Sequence, residues 1–260
     1  MLNNLPHIIF RHIAVIAFLA STAIADAGAA GDAGAGAKLA GFHAEYEASY
    51  AGLKAEAIMD LRPAEAPNEY VYKVVTRALG FASLIRPGTG TETSHIAFTE
   101  SGFSPISYQL DDGTEKLEND TDIRFDWETG IAHSIYKGVA KDIAITAGML
   151  DRLTADIAAI HALRNNQQLA SYEITHRNTV RLYEFTPQGE ETVSVPAGEF
   201  QAIKYLRQRP GSSRATLIWF APEADYLPVK IVQLKRGESK IVMVATLLNT
   251  APVCTDCKKL

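Results

Sequence analysis

Three groups of residues in this chain have types and spacings that chemistry could use. The first is a set of five histidines, His43, His95, His133, His161 and His176, spread along most of the sequence. A zinc site needs three or four ligands at close quarters, and this scatter reads as isolated surface or half-buried histidines. The second is the acidic run Asp111, Asp112, Glu115, Glu118, Asp120 and Asp122. Calcium favours such oxygens, but the spacing does not fit an EF-hand loop, so the run reads as a solvated hairpin tip. The third is Cys254-Thr255-Asp256-Cys257. A redox C-x-x-C sits at a strand–helix junction with a lowered thiol pKa, and this pair sits in a polar tail. It offers a small-loop disulfide and too few ligands for a metal.

Other signatures of catalysis are missing from the sequence. It contains no G-x-S-x-G, no phosphate-cradling Walker loop and no H-E-x-x-H. Gly34-Ala35-Gly36 resembles a dinucleotide loop, but no strand precedes it and Leu39 stands in place of the third glycine. The reading is therefore of no catalytic residue, no cofactor and no metal. A formal net charge of -5 argues against nucleic acid, which asks for a basic patch or stripe.

The elements around these residues begin with a leader. Arg11 and His12 precede an apolar run from Ile13 to Ala25 that is too short to span a bilayer. Small residues then give two A-x-A cleavage sites, Ala23-Ile24-Ala25 and Ala25-Asp26-Ala27. Residues 1–27 are thus read as a cleaved signal peptide, and the product as a periplasmic protein with no membrane span after cleavage. Residues 28–41 are nearly all Gly and Ala and read as a flexible linker. A single β-rich domain over 42–248 and a polar tail over 249–260 complete the organisation.

Hydrophobic spacing in the domain has mostly period two. Phe42, Ala44, Tyr46, Ala48 and Tyr50 alternate with polar neighbours, Gly52 interrupts, and Ala55, Ala57, Met59 and Leu61 resume, which predicts a hairpin. Tyr70 to Leu79 is a third strand. Further strands are expected at 93–99, 103–110, 121–127, 131–136, 139–145, 171–176, 180–186, 191–195, 200–209, 213–220, 228–235 and 240–248. Pro187-Gln188-Gly189, Pro210-Gly211 and Arg236-Gly237 read as hairpin connections. One segment differs. Leu150, Leu153, Ile157, Ile160 and Leu163 recur at helical steps, predicting an amphipathic helix over 149–163 with Thr146 as N-cap and Asn165 and Asn166 as stops. Asp156 lies off its apolar stripe. The fold class is mainly β: a curled antiparallel sheet or partly open barrel with one packed helix.

Several short clusters recur in a characteristic order. They are Arg86-Pro87-Gly88-Thr89, Phe125-Asp126-Trp127, Asp151-Arg152-Leu153, Pro196-Ala197-Gly198-Glu199-Phe200, and Trp219-Phe220-Ala221-Pro222 followed by Leu227-Pro228-Val229-Lys230. With the opening Tyr46-Glu47-Ala48-Ser49-Tyr50-Ala51-Gly52-Leu53, they resemble the bacterial exported-protein family called domain of unknown function 3108 over residues 42 to 248. That resemblance implies no activity and no catalytic residues. By analogy it implies a fold like that of periplasmic lipoprotein carriers.

Physical readings of the clusters are structural. Pro87-Gly88 suits a tight turn, Pro196 to Gly198 a chain reversal, and Pro222 and Pro228 bracket a loop outside the central ladder. Trp127 and Trp219 are expected to fill the core, each with a partner for its indole N–H. Asp126, and Asp151 with Arg152, are expected to be buried braces between helix and sheet.

These readings converge on an exported, non-enzymatic binding protein whose sheet concavity holds an apolar or lipid-like ligand. Two alternatives stand beside it: an envelope structural protein with a solid core and a protein partner, and a hydrolase with an unrecognised site. Residues lining the interior or bracing it are expected to include Tyr46, Tyr72, Arg86, Trp127, Asp151, Arg152, Leu182, Ile203 and Trp219, with Cys254 and Cys257 as the disulfide.

Overall fold

Alternation of apolar and polar residues becomes fifteen strands in the computed structural model, which describes residues 39–85, 87–99, 102–115, 120–169 and 171–250. The expected signal peptide, residues 28–38 of the linker, Arg86, Cys254 and Cys257 lie outside the described residues.

Two meanders share one sheet. Strands β1 (Phe42–Tyr50), β2 (Leu53–Pro63), β3 (Glu69–Leu79), β4 (Thr89–Thr99), β5 (Gly102–Asp111), β6 (Thr121–Asp126), β7 (Ile131–Tyr136) and β8 (Val139–Ala144) follow one another outward. Strands β9 (Leu150–Asp151), β10 (Tyr172–His176), β11 (Thr179–Val195), β12 (Gly198–Gln208), β13 (Arg214–Ala221), β14 (Leu227–Lys235) and β15 (Glu238–Asn249) return inward from the other edge. The antiparallel pair β1–β15 joins the halves, for example at Tyr46 and Ala245. All pairs are antiparallel except β9–β10. The sheet curls without closing, since β8 and β9 share no ladder. A side chain bridges that region instead: Asn178 accepts from Ser134 Oγ at 2.7 Å and donates to the Val139 carbonyl at 2.9 Å.

Proline and glycine explain where the strand pattern departs from expectation. Pro187-Gln188-Gly189 is not a hairpin but a bulge inside the single strand β11, where the register to β12 slips between Pro187 and Glu190. β10 pairs with β11 only as far as Tyr183, so Pro187 sits on a free edge that needs no N–H. Pro228 lies within β14 rather than outside it, and β14 pairs with β15 only from Lys230 onward. A short helix not anticipated from the sequence, α1 (Phe81–Ile85), connects β3 to β4.

Between β9 and β10 runs α2 (Arg152–Arg164). Its N-cap is Asp151 rather than Thr146, because residues 146–149 form a turn and residues 150–151 pair with β10. Asn165 caps the other end, and the Asn166 backbone is left-handed. The stripe Leu153, Ile157 and Ile160 is buried against the sheet, as its spacing requires. α2 begins beside the middle of β4, through Ser94, and runs toward the end of the sheet that holds Asp225, to which Arg164 binds. Hence it covers one half of the concave face. The half nearer the turns at 51–52, 209–213 and 236–237 lies beyond α2 and has only the short α1 at its rim, beside β2 and β3.

Candidate functional site

Helix attachment is the most highly built polar feature of the interior. The fully buried Asp151 carboxylate accepts from the backbone N–H of Leu153 (2.8 Å) and Thr154 (2.9 Å), and from Thr154 Oγ1 (2.7 Å) and Ser94 Oγ (2.6 Å). Next to it, Arg152 makes a two-pronged ion pair with the buried Glu92. Tyr108 also donates to Glu92, at 2.5 Å. Each carboxylate at this junction thus has several donors, which offset the cost of burying the charges. Burial holds the Asp151 carboxyl above its usual range despite these donors. Asp151 and Arg152 tie the start of the helix to β4 through Ser94 and Glu92.

A cleft lies between α2 and the sheet. Its walls are Phe42, Ala57, Val74, Ile218 and Met243 from the sheet and Leu153 and Ile160 from the helix. Polar side chains interrupt them, among them Tyr72, Arg152, Asp156, Arg207, Thr216 and Gln233. Asp156 faces this cleft and accepts from Arg207 at 2.6 Å, so its place off the apolar stripe does not make it a simple surface residue. The cleft has a volume of about 60 Å³. That is room for about four waters. The interior is therefore filled by α2 in one half and partly open in the other.

Tyr72 is 2% exposed, and its hydroxyl has no hydrogen-bond partner among the described residues. Burial first, and then the Asp156 charge, push its hydroxyl pKa well up, so it stays a neutral donor. Tyr46, also expected at the lining, is buried but donates to the Pro228 carbonyl at 2.8 Å and so acts as a tie between β1 and β14.

Several expected lining residues sit elsewhere. Leu182 is 42% exposed and does not line the cleft. Strand alternation puts Tyr183 and Phe185 alternately inward and leaves Leu182 outward. Ile203 is half-buried and packs on the core without lining the cleft. Trp219 is buried, but Ile218 and Phe220 on either side of it line the cleft and it does not. Its ring instead lies between the Lys204 and Lys230 ammonium groups, each 4.8 Å from the ring centroid, and its N–H donates to Glu191. Trp127 is half-buried, stacks on Phe125 at 5.9 Å and donates to the Pro105 carbonyl at 2.8 Å. Asp126 braces no helix; it accepts from the N–H groups of Glu128 and Thr129 and closes its own turn.

The remaining chemical candidates have local explanations. His43 pairs with Asp60 at 2.8 Å, His95 with Glu69 at 2.8 Å and His133 with Asp142 at 2.7 Å. His161 meets the edges of Phe98 and Phe103, and burial pushes its pKa down. Asp111, Asp112 and Asp120 bring carboxylate oxygens within 4.8 Å of one another. They accept the N–H groups of their own loop, at Gly113, Thr114 and Asp112. That loop also explains Gly88, where a Cβ would lie 1.9 Å from the Gly113 carbonyl oxygen.

A family model described as a protein of unknown function, DUF3108, matches residues 45–244. The chain belongs to that family. No curated protein matches it. Among solved structures, the DUF3108 chain is similar to a β-barrel-like protein of the DUF1849 domain from Brucella abortus. The TM-score is 0.48 at 8% identity, covering 82% of this chain and 98% of the other. A Bacteroides fragilis protein described as exported, with a YmcC-like fold, gives a TM-score of 0.34 at 12% identity, with coverage of 80% and 95%. A Parabacteroides distasonis protein described as a lipoprotein gives 0.28 at 12%, with coverage of 82% and 96%. At these scores the likenesses assign nothing further to the DUF3108 chain. None of its described helices is long and apolar enough to cross a membrane.

Proposed function

We propose that this DUF3108 chain is a periplasmic, non-enzymatic binding protein whose cleft takes an apolar or lipid-like ligand. The observation that carries the reading is the cleft itself: mostly apolar walls shared by α2 and the sheet, with the Tyr72 hydroxyl among them. Ligand sites combine these features, mostly apolar walls for affinity and a few placed polar groups for orientation. The leader with its two A-x-A sites supports export.

The test is to purify the full chain from a periplasmic fraction and extract it with organic solvent. Mass spectrometry is expected to find a copurifying amphiphile, and adding that amphiphile to stripped protein should raise the melting temperature, because a ligand of the native state stabilises it. Stripped protein unmoved by any extracted or added amphiphile would defeat the reading. A protein-docking role in the envelope then takes its place, and Phe81 and Leu84 on α1, 70% and 79% exposed, favour it.

A further inference from the structure

Beyond the apolar walls, three strands of the cleft carry arginine in the inward phase. On β11 the phase runs Phe185, Tyr183, Arg181, and Phe185 lines the cleft. Along β12 and just past its end it runs Arg207, Arg209, and Arg207 lines the cleft. On β13 it runs Ile218, Thr216, Arg214, and the first two line the cleft. The register aligns them. Gln208 pairs with Glu184 on one side and with Ala215 on the other, so one residue further Arg209 stands level with Tyr183 and Arg214.

These cations differ from the others in the interior. Arg152 has Glu92, Arg207 has Asp156 and Arg164 has Asp225. Arg181 and Arg209 have no carboxylate among the described residues. Arg181 Nε donates only to Thr179 Oγ1, at 3.0 Å. Arg209 is 5% exposed, its Nε has no partner, and its Nη2 reaches only Ser212 Oγ, at 3.5 Å. Burial first, then the neighbouring Arg181 and Arg214 charges, depress the Arg209 pKa. Arg181 is depressed by burial and by Arg177. A guanidinium stays charged, so this is uncompensated positive charge inside a chain of net charge -5. A buried cation without a partner is costly, and an anion from outside is the group that relieves it. The planar guanidinium fork suits phosphate or carboxylate oxygens.

We propose that the ligand is an acidic amphiphile: the first few carbons of its apolar chain enter the cleft, and Arg181 and Arg209 hold its phosphate or carboxylate at the end of the sheet near the 209–213 turn. This rests on the reading of the cleft as a binding site and specifies the ligand class. Tyr183, beside both arginines on the same face, is placed to offer its hydroxyl to the same anion.

The experiment compares dodecyl phosphate, dodecanol and inorganic phosphate by titration calorimetry on the full mature chain, with the amphiphiles below their aggregation concentrations. Dodecyl phosphate is expected to bind at least tenfold more tightly than dodecanol. Arg209→Gln and, separately, Arg181→Gln should each remove most of that advantage and leave dodecanol unchanged. Circular dichroism of each variant confirms its fold, and Arg209→Lys, which keeps the charge without the fork, should fall between. Equal binding of dodecyl phosphate and dodecanol, unmoved by either substitution, would overturn the anion site while leaving the apolar cleft. Inorganic phosphate binding through Arg209 as tightly as dodecyl phosphate would keep the anion site, make free phosphate its source, and end the apolar reading. Binding of none of the three would overturn both.

Discussion

The two halves of the concave face treat charge in opposite ways. Under α2, Asp151 has four donors and Glu92 has Arg152 and Tyr108. Beyond α2, Arg181 and Arg209 face inward without a carboxylate. A satisfied network fixes one packing, and an unsatisfied one stores a preference for something the chain does not supply. The comparison therefore separates groups that build the fold from groups kept for a ligand, although both sets are inward-facing ionisable residues a few strands apart.

The strongest test of that contrast is in the covered half. Glu92→Ala leaves the Arg152 guanidinium buried and unpaired and should cost about 3–5 kcal/mol, the range for breaking a buried pair. Urea melts measure it, and a cost below about 1 kcal/mol would erase the difference between the halves. Leu153→Ala, at the centre of the buried stripe, should cost about 2–5 kcal/mol by the same melts. A small value there would mean that α2 is held by its polar cap rather than by packing. The smallest effect is expected in the open half. Arg209→Gln should leave the melting temperature unchanged or raise it, because it removes a like-charged neighbour from Arg181 and Arg214. A clear fall would make Arg209 a structural brace and sink the contrast.

Much of the covered half was legible in the sequence because its signals are local. Period two marked most strands, helical spacing marked α2, and Asp151-Arg152-Leu153 stood out before its partners were known. Those partners, Ser94 and Glu92, lie about sixty residues away and no local pattern points to them. Leu182 was assigned to the wrong face because alternation shows that two faces exist without saying which is inside. The bulge at Pro187 was read as a turn because Pro and Gly mark both. Arg181 and Arg209 were missed, yet a signal was present: each extends an apolar phase, Phe185 to Arg181 and Tyr205 to Arg209, past the point where that phase turns cationic.

The β1–β15 seam joins His43 to Asn249, residues almost the whole domain apart in sequence. Each meander can zip up through hairpins between neighbours, but neither has a second wall until the last strand arrives. Contacts of such long separation slow folding, because a large loop must close before it is rewarded. A chain emerging from synthesis thus holds β1 with one edge unpaired until β15 exists. On the proposed route of export through a narrow channel, that delay would keep the two meanders from joining until the whole domain has emerged.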